Sequence, residues 1–201
     1  MQKAIRSVRR HAAEFLRRFR QHDYEVMDGG LYFPRSRLAA CGAYALRQAD
    51  GSWQEVPNLV TLQGREYLLK TALGGQAAQA GWYLALFGSD YTPTDALTAA
   101  AFPVAAGEIV SATDGYSDAT RRPWQPGPVS NAEMSNEASP ATFNIVTPRD
   151  AVDVYGAALL SARARGSTDG VLLSAARFRV RKQFENGEPV VLRYRTYLLP
   201  E

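Results

Sequence analysis

The chain has 201 residues, 46% of them apolar and 21% charged, which is the composition of an ordinary globular protein. Its single cysteine, Cys41, excludes an intramolecular disulfide and a metal centre built from cysteines. No apolar run approaches the roughly 20 residues of a membrane-spanning helix. Arginines also interrupt the N-terminus too often for a signal peptide. We therefore expect a protein made in a cytoplasm.

The net charge of +3 is unevenly distributed. Residues 1–20 contain seven basic side chains and one acidic side chain, a charge of +6, which leaves −3 for the other 181 residues. The basic character therefore belongs to an N-terminal arm and not to the body of the protein.

Residues 1–22 are predicted to form a basic amphipathic helical arm, because apolar residues recur at three- and four-residue spacing. The arm packs on its own domain or a sister subunit, docks on an acidic surface of another protein, or binds nucleic acid or a membrane surface. The regular apolar stripe favours a packed protein partner, and a DNA-binding tail would need no such stripe. The arm residues predicted to bind a partner are Lys3, Arg6, Arg9, Arg10, Phe15, Leu16, Arg17, Arg18, Phe19 and Arg20.

Residues 23–57 are predicted to form a β-hairpin extension. Two strand-like segments, 42–47 and 52–56, flank Asp50-Gly51, a pair that supplies the positive φ angles of a tight turn. Cys41 is interpreted as a small core residue, because a nucleophilic cysteine needs a nearby base and both histidines lie in the arm.

Residues 58–90 predict a helix followed by a buried strand. Thr61 or Asn58 is the expected N-cap, and Gly74-Gly75 is expected to end the helix. Residues 82–87 are apolar on both alternating faces, which is typical of a strand covered on both sides. The helix residues assigned to one core-facing stripe are Leu62, Leu69, Ala72 and Leu73.

Residues 91–141 are rich in Pro, Gly, Ser and Thr and are predicted to form a long loop, which is functional, ordered by a partner or disordered. A short strand is expected around 108–110. Arg121, Arg122 and Trp124 are predicted to anchor a neighbouring subunit, since Trp and Arg dominate contact energetics. The alternative is that Trp124 covers its own core. Four acids could bind a hard cation but lack EF-hand spacing, which favours solvated side chains: Asp114, Asp118, Glu133 and Glu137.

From residue 141 onwards the pattern is that of short strands separated by turns, with Phe178 and Val180 assigned to one face of a strand. The fold class expected for residues 58–201 is mainly β, an antiparallel β-sandwich of jelly-roll-like type with one short internal helix. The sequence lacks the HExxH, GxSxG, GxxxxGK[ST] and GxGxxG patterns, so we expect neither an enzyme nor a metal or cofactor site.

Several motifs in residues 58–199 occur in an order that resembles structural proteins of tailed bacteriophages. They comprise Asn58-Leu59-Val60-Thr61 with Gly64 and Tyr67-Leu68-Leu69, the strand 82–87, Tyr91-Thr92-Pro93, the segment 116–121 with Pro123-Trp124, Ser130-Asn131, residues 139–143, residues 154–157 and Gly187. The first 57 residues depart from the pattern.

The resemblance implies a virion component assembled in the cytoplasm of a bacterial host. It implies either a capsid decoration or cement protein that bridges capsid subunits, or a neck, tail or fibre-attachment part anchored through the arm. The expected partners are the major capsid protein or neck and tail proteins, and further copies of the chain, with a trimer favoured. A nucleic-acid-binding module is the third hypothesis, and no membrane contact is expected.

Overall fold

A computed structural model describes residues 16–17, 19–20, 25–32 and 38–200. The chain divides into one unit of residues 1–39 with 200–201 and a second unit of residues 40–199. In the first unit a two-stranded antiparallel hairpin joins β1 (Glu25–Met27) to β2 (Gly30–Tyr32). Within the described ranges, no helix has the length and apolar character needed to cross a membrane.

The second unit is mainly β, with one α-helix and a single π-helical turn at Pro103–Gly107. The helix is α1 (Leu62–Ala72). The strands are β3 (Leu38–Arg47), which begins in the first unit, β4 (Trp53–Pro57), β5 (Leu59–Val60), β6 (Tyr83–Phe87), β7 (Gly115–Tyr116), β8 (Arg122–Pro123), β9 (Glu133–Ser135), β10 (Ala141–Val146), β11 (Val152–Leu160), β12 (Leu172–Phe184) and β13 (Pro189–Pro200).

These strands form two antiparallel sheets. The six-stranded sheet has the order β4-β3-β13-β10-β7, and β9 pairs with the later part of β13. The five-stranded sheet has the order β5-β12-β11-β6-β8. The chain passes from the first sheet to the second at Asn58, between β4 and β5. The expectation of a mainly β, antiparallel fold is confirmed.

One hydrophobic core is built from side chains of both sheets, including Tyr44 and Phe143 from the six-stranded sheet and Leu159 and Phe178 from the five-stranded sheet. Strand β6 is buried on both faces, as the sequence predicted. Its alternate residues Leu84 and Leu86 join this shared core, whereas Ala85 and Phe87 join a second core on the other side of the sheet.

The second core lies under the segment that the sequence assigned to a polar loop. Leu97, Phe102 and Ala106 of residues 91–107 are buried against Phe87 and Leu160 of the five-stranded sheet. The segment is irregular, as expected of a loop, but a few well-spaced apolar side chains hold it on the sheet as a covering layer, which the polar composition did not predict. At 108–110, where a strand was expected, the structure has an isolated bridge between Glu108 and Phe87.

The predicted hairpin is present, with Gly51 at a φ of +82° and β3 paired to β4. It is not a separate extension over 23–57, because β3 lies inside the six-stranded sheet between β4 and β13. Near the other end of the chain, Phe178 is buried as expected, whereas Val180 is 63% exposed. Residues 179–181 are all exposed, so none of the described residues covers this stretch of β12.

A buried polar network connects the two sheets. The Tyr44 hydroxyl lies 2.9 Å from the Ser174 hydroxyl, which donates a hydrogen bond to the Tyr194 hydroxyl at 3.0 Å. Asn58 Nδ2 also donates to the Tyr194 hydroxyl at 3.0 Å. Burial raises the pKa of Tyr44 and Tyr194. Burial also raises the pKa of Tyr116, a core residue under the Arg165 guanidinium.

Candidate interaction surfaces

The ends of helix α1 follow from its sequence. Thr61 Oγ1 accepts a hydrogen bond from the Gly64 N–H at 3.0 Å and donates one to the Leu172 carbonyl at 2.7 Å. Thr61 therefore caps the helix and attaches it to β12. The helix ends at Ala72, and Gly75 follows at a φ of +71°. Both the predicted N-cap and the predicted glycine end are confirmed.

The apolar stripe of α1 faces away from the protein. Leu62, Leu69 and Leu73 lie within about 40° of one another around the helix axis at 3.6 residues per turn. Their exposed fractions are 47%, 61% and 84%. The prediction that this stripe faces the core is wrong. We call these three residues the leucine face.

The opposite side of α1 packs on the sheet through small and aromatic residues. Gly64 and Tyr67 are buried, and a Cβ atom at Gly64 would stand 2.3 Å from the Leu173 carbonyl oxygen. Only glycine allows the helix backbone to approach β12 this closely. The spacing of Gly64, Tyr67 and Thr71 could have identified this packed side from the sequence. The leucine pattern was more prominent and led to the opposite assignment.

The charges beside the leucine face are neutralised within the chain. Arg65 pairs with Asp95 at 2.8 Å, and Lys70 pairs with Glu66 one helical turn away at 3.0 Å. Leu69 and Leu73 are neighbours on this surface, one turn apart, whereas the exposed and paired Arg65 and Glu66 lie between them and Leu62. A partner that covers it needs apolar atoms and no net charge.

The predicted arm is described only in part. Leu16, Arg17, Phe19 and Arg20 are helical and exposed. The remaining predicted contact residues of the arm lie outside the described residues: Lys3, Arg6, Arg9, Arg10, Phe15 and Arg18.

Arg121 does not reach the surface, so the expectation that it contacts a partner is not met. Its side chain and that of Glu108 are both fully buried. Arg121 Nε and Nη2 donate to the two carboxylate oxygens of Glu108, each at 2.7 Å. Two further N–H bonds go to the carbonyls of Ala162 and Ser167 at 2.9 and 3.2 Å. The pair thus ties three loop segments together inside the molecule.

The other two predicted anchors have different surroundings. Trp124 belongs to the shared core, and its indole N–H donates to the Tyr194 carbonyl at 3.2 Å. The alternative interpretation, a tryptophan covering its own core, therefore agrees with the structure. Arg122 is partly exposed and pairs with Asp118 at 2.8 Å, so it is the one of the three that offers a charged group to solvent.

The four loop acids do not converge on a common point. Each lies beside a different arginine, with Asp114, Asp118, Glu133 and Glu137 next to Arg149, Arg122, Arg195 and Arg193 respectively. A hydrogen bond from Thr147, followed by the Arg149 guanidinium, lowers the pKa of Asp114. In the part of the chain that the structure describes, no group of three His, Cys, Asp or Glu side chains could hold a metal ion.

Comparison of the sequence with models of protein families gives no match, and comparison with curated proteins gives no significant match.

Proposed function

We propose that the chain is a structural virion protein of a tailed bacteriophage, and specifically a non-enzymatic capsid decoration protein that bridges and stabilises capsid subunits. In this proposal the two sheets form a jelly-roll-like β-sandwich, the protein acts as a trimer, and the N-terminal helical arm reaches a neighbouring subunit. The motif order in residues 58–199 supports the class of assembly.

The leucine face is the observation that carries the proposal. Exposed apolar patches mark protein contact sites, and here Leu69 and Leu73 form such a patch, with Leu62 about two turns away on the same side of α1, which the described residues leave uncovered. Because the neighbouring charges are already paired, the occupant that fits is an uncharged apolar surface of the major capsid protein.

The number of copies of the chain per purified particle, measured by quantitative mass spectrometry against the major capsid protein, tests the location. A ratio near one to one is expected for a component of the capsid lattice. A ratio of a few per cent would replace the proposal with a neck, tail or fibre-attachment part. Absence from particles would remove the virion assignment altogether.

The double substitution L69E/L73E tests the leucine face. Both side chains are exposed in the chain itself, so the fold is retained. Binding to capsids falls at least about tenfold, because a leucine buried at the capsid contact contributes about 1.5–3 kcal/mol. Binding is measured by co-sedimentation with particles that lack the protein.

The matched control is V180E, which places the same carboxylate at another exposed apolar position, on strand β12. Capsid binding by V180E should equal that of the natural chain. Equal losses in V180E and L69E/L73E would show that added negative charge, and not the leucine face, determines binding.

A further inference from the structure

A groove of about 310 Å³ lies on the outer face of the six-stranded sheet. Its floor is formed by Ala43 and Ala45 of β3, which alternate with the core residues Tyr44 and Leu46. Small side chains at these positions leave a trench between taller neighbours. The principal wall residues are Trp53, Glu55, Glu133, Glu137, Arg193 and Arg195.

Mutual ion pairs hold the charged walls in place. Arg195 pairs with Glu55 and lies 3.7 Å from Glu133. Arg193 pairs with Glu137 at 3.0 Å, and its guanidinium carbon lies 3.7 Å from the centre of the Trp53 ring. These pairs hold the charged side chains in fixed positions, which limits the ordering cost when a ligand binds.

The chemistry of the groove selects one class of ligand. Three carboxylates and two guanidinium groups nearly cancel in charge, which disfavours a polyanion such as nucleic acid. The polar walls disfavour a lipid chain, since binding sites for apolar molecules are mainly apolar. In addition, Arg193 Nε is buried and has no hydrogen-bond partner in the structure, so a donor remains to be satisfied.

We propose that this groove binds a neutral saccharide. Sugar hydroxyls both donate and accept hydrogen bonds, which matches walls built from carboxylates and guanidinium groups. The Trp53 ring, covered on one face by the Arg193 guanidinium, holds that group in the wall. The volume, near the lower end of the range for small-molecule sites, suits one or two sugar units. The site is separate from the leucine face and does not depend on the proposed role in the capsid.

Titration of the 15N-labelled full chain with D-glucose, D-galactose, L-rhamnose and N-acetyl-D-glucosamine, followed by NMR, tests the proposal. At least one sugar is expected to shift the Trp53 indole signal and the amide signals of β9 and β13 in a saturable manner. W53A should weaken that binding at least about tenfold. Absence of saturable shifts with all four sugars would overturn the proposal.

Two milder variants separate binding from folding. E137Q changes a side chain that is 73% exposed and keeps the fold, but it removes a charged acceptor and should weaken binding severalfold. R181A removes another exposed, acid-paired arginine, on β12 and outside the groove, and should bind as the natural chain does. Equal effects of E137Q and R181A would also overturn the assignment of the groove.

Discussion

The substitution R121A is expected to lower the free energy of unfolding by about 3–5 kcal/mol, because it leaves the Glu108 carboxylate buried without its cation. Both side chains are fully buried, and two bonds of 2.7 Å join them. Among the described residues, one further hydrogen bond reaches that carboxylate, from the Gly166 N–H at 3.0 Å. Urea unfolding at neutral pH, followed by tryptophan fluorescence and circular dichroism, measures the loss.

The neighbouring R122A is the matched control, because Arg122 pairs with Asp118 in a partly exposed position. Its loss should be below about 1 kcal/mol. A second comparison uses the double variant E108L/R121M, which replaces the pair by apolar side chains and should be less destabilised than R121A. If R121A and R122A lost the same stability, the buried pair would not be the stabilising element.

Stability is expected to fall steeply above pH 10. Burial raises the pKa of Tyr44, Tyr116 and Tyr194, whereas tyrosines of the unfolded chain titrate near 10. At a pH between 10 and the raised pKa of the folded tyrosines, the folded protein holds three protons that the unfolded chain has released. The contribution of these three tyrosines to the free energy of unfolding is therefore fully present below pH 10 and is lost as the pH rises. The loss is about 1.4 kcal/mol per proton for each unit of pH, or about 4 kcal/mol per unit for the three together.

Urea unfolding at half-unit steps between pH 9 and 11 measures this slope. Y116F is the cleanest variant, because no described residue forms a hydrogen bond with the Tyr116 hydroxyl. Removing it should reduce the slope by about one third and leave the stability at pH 8 little changed. A slope near zero in the natural chain, or one that Y116F leaves unaltered, would contradict the assignment.

Local patterns predicted much of the fold. The apolar run of β6, the Asp50-Gly51 turn and the cap at Thr61 all depend on residues close together in the chain. The burial of Arg121 could not be predicted in this way, because its partners include Glu108, Ala162 and Ser167 on separate loops. Nothing in the local sequence distinguishes this arginine from the exposed one that follows it.

The orientation of α1 shows the same limit. The spacing of its leucines is that of a core-facing stripe. Such periodicity indicates that a helix has an apolar face, but it does not indicate which face is packed against the sheet. The deciding contact joins Gly64 to the backbone of Leu173, more than a hundred residues away. The groove was missed for a related reason, since Trp53 and Arg193 are brought together only by the pairing of strands.

The position of β3 determines how the protein responds to mechanical load. This strand begins at Leu38, lies beside β13 in the six-stranded sheet and pairs with β4 over Ala43–Arg47. Tension applied to the chain ahead of Leu38, along the strand axis, therefore loads the hydrogen bonds of β3 in shear, and those to β4 lie at the far half of the strand. A tether attached at this end would hold against a sustained pull until the sheet itself yields.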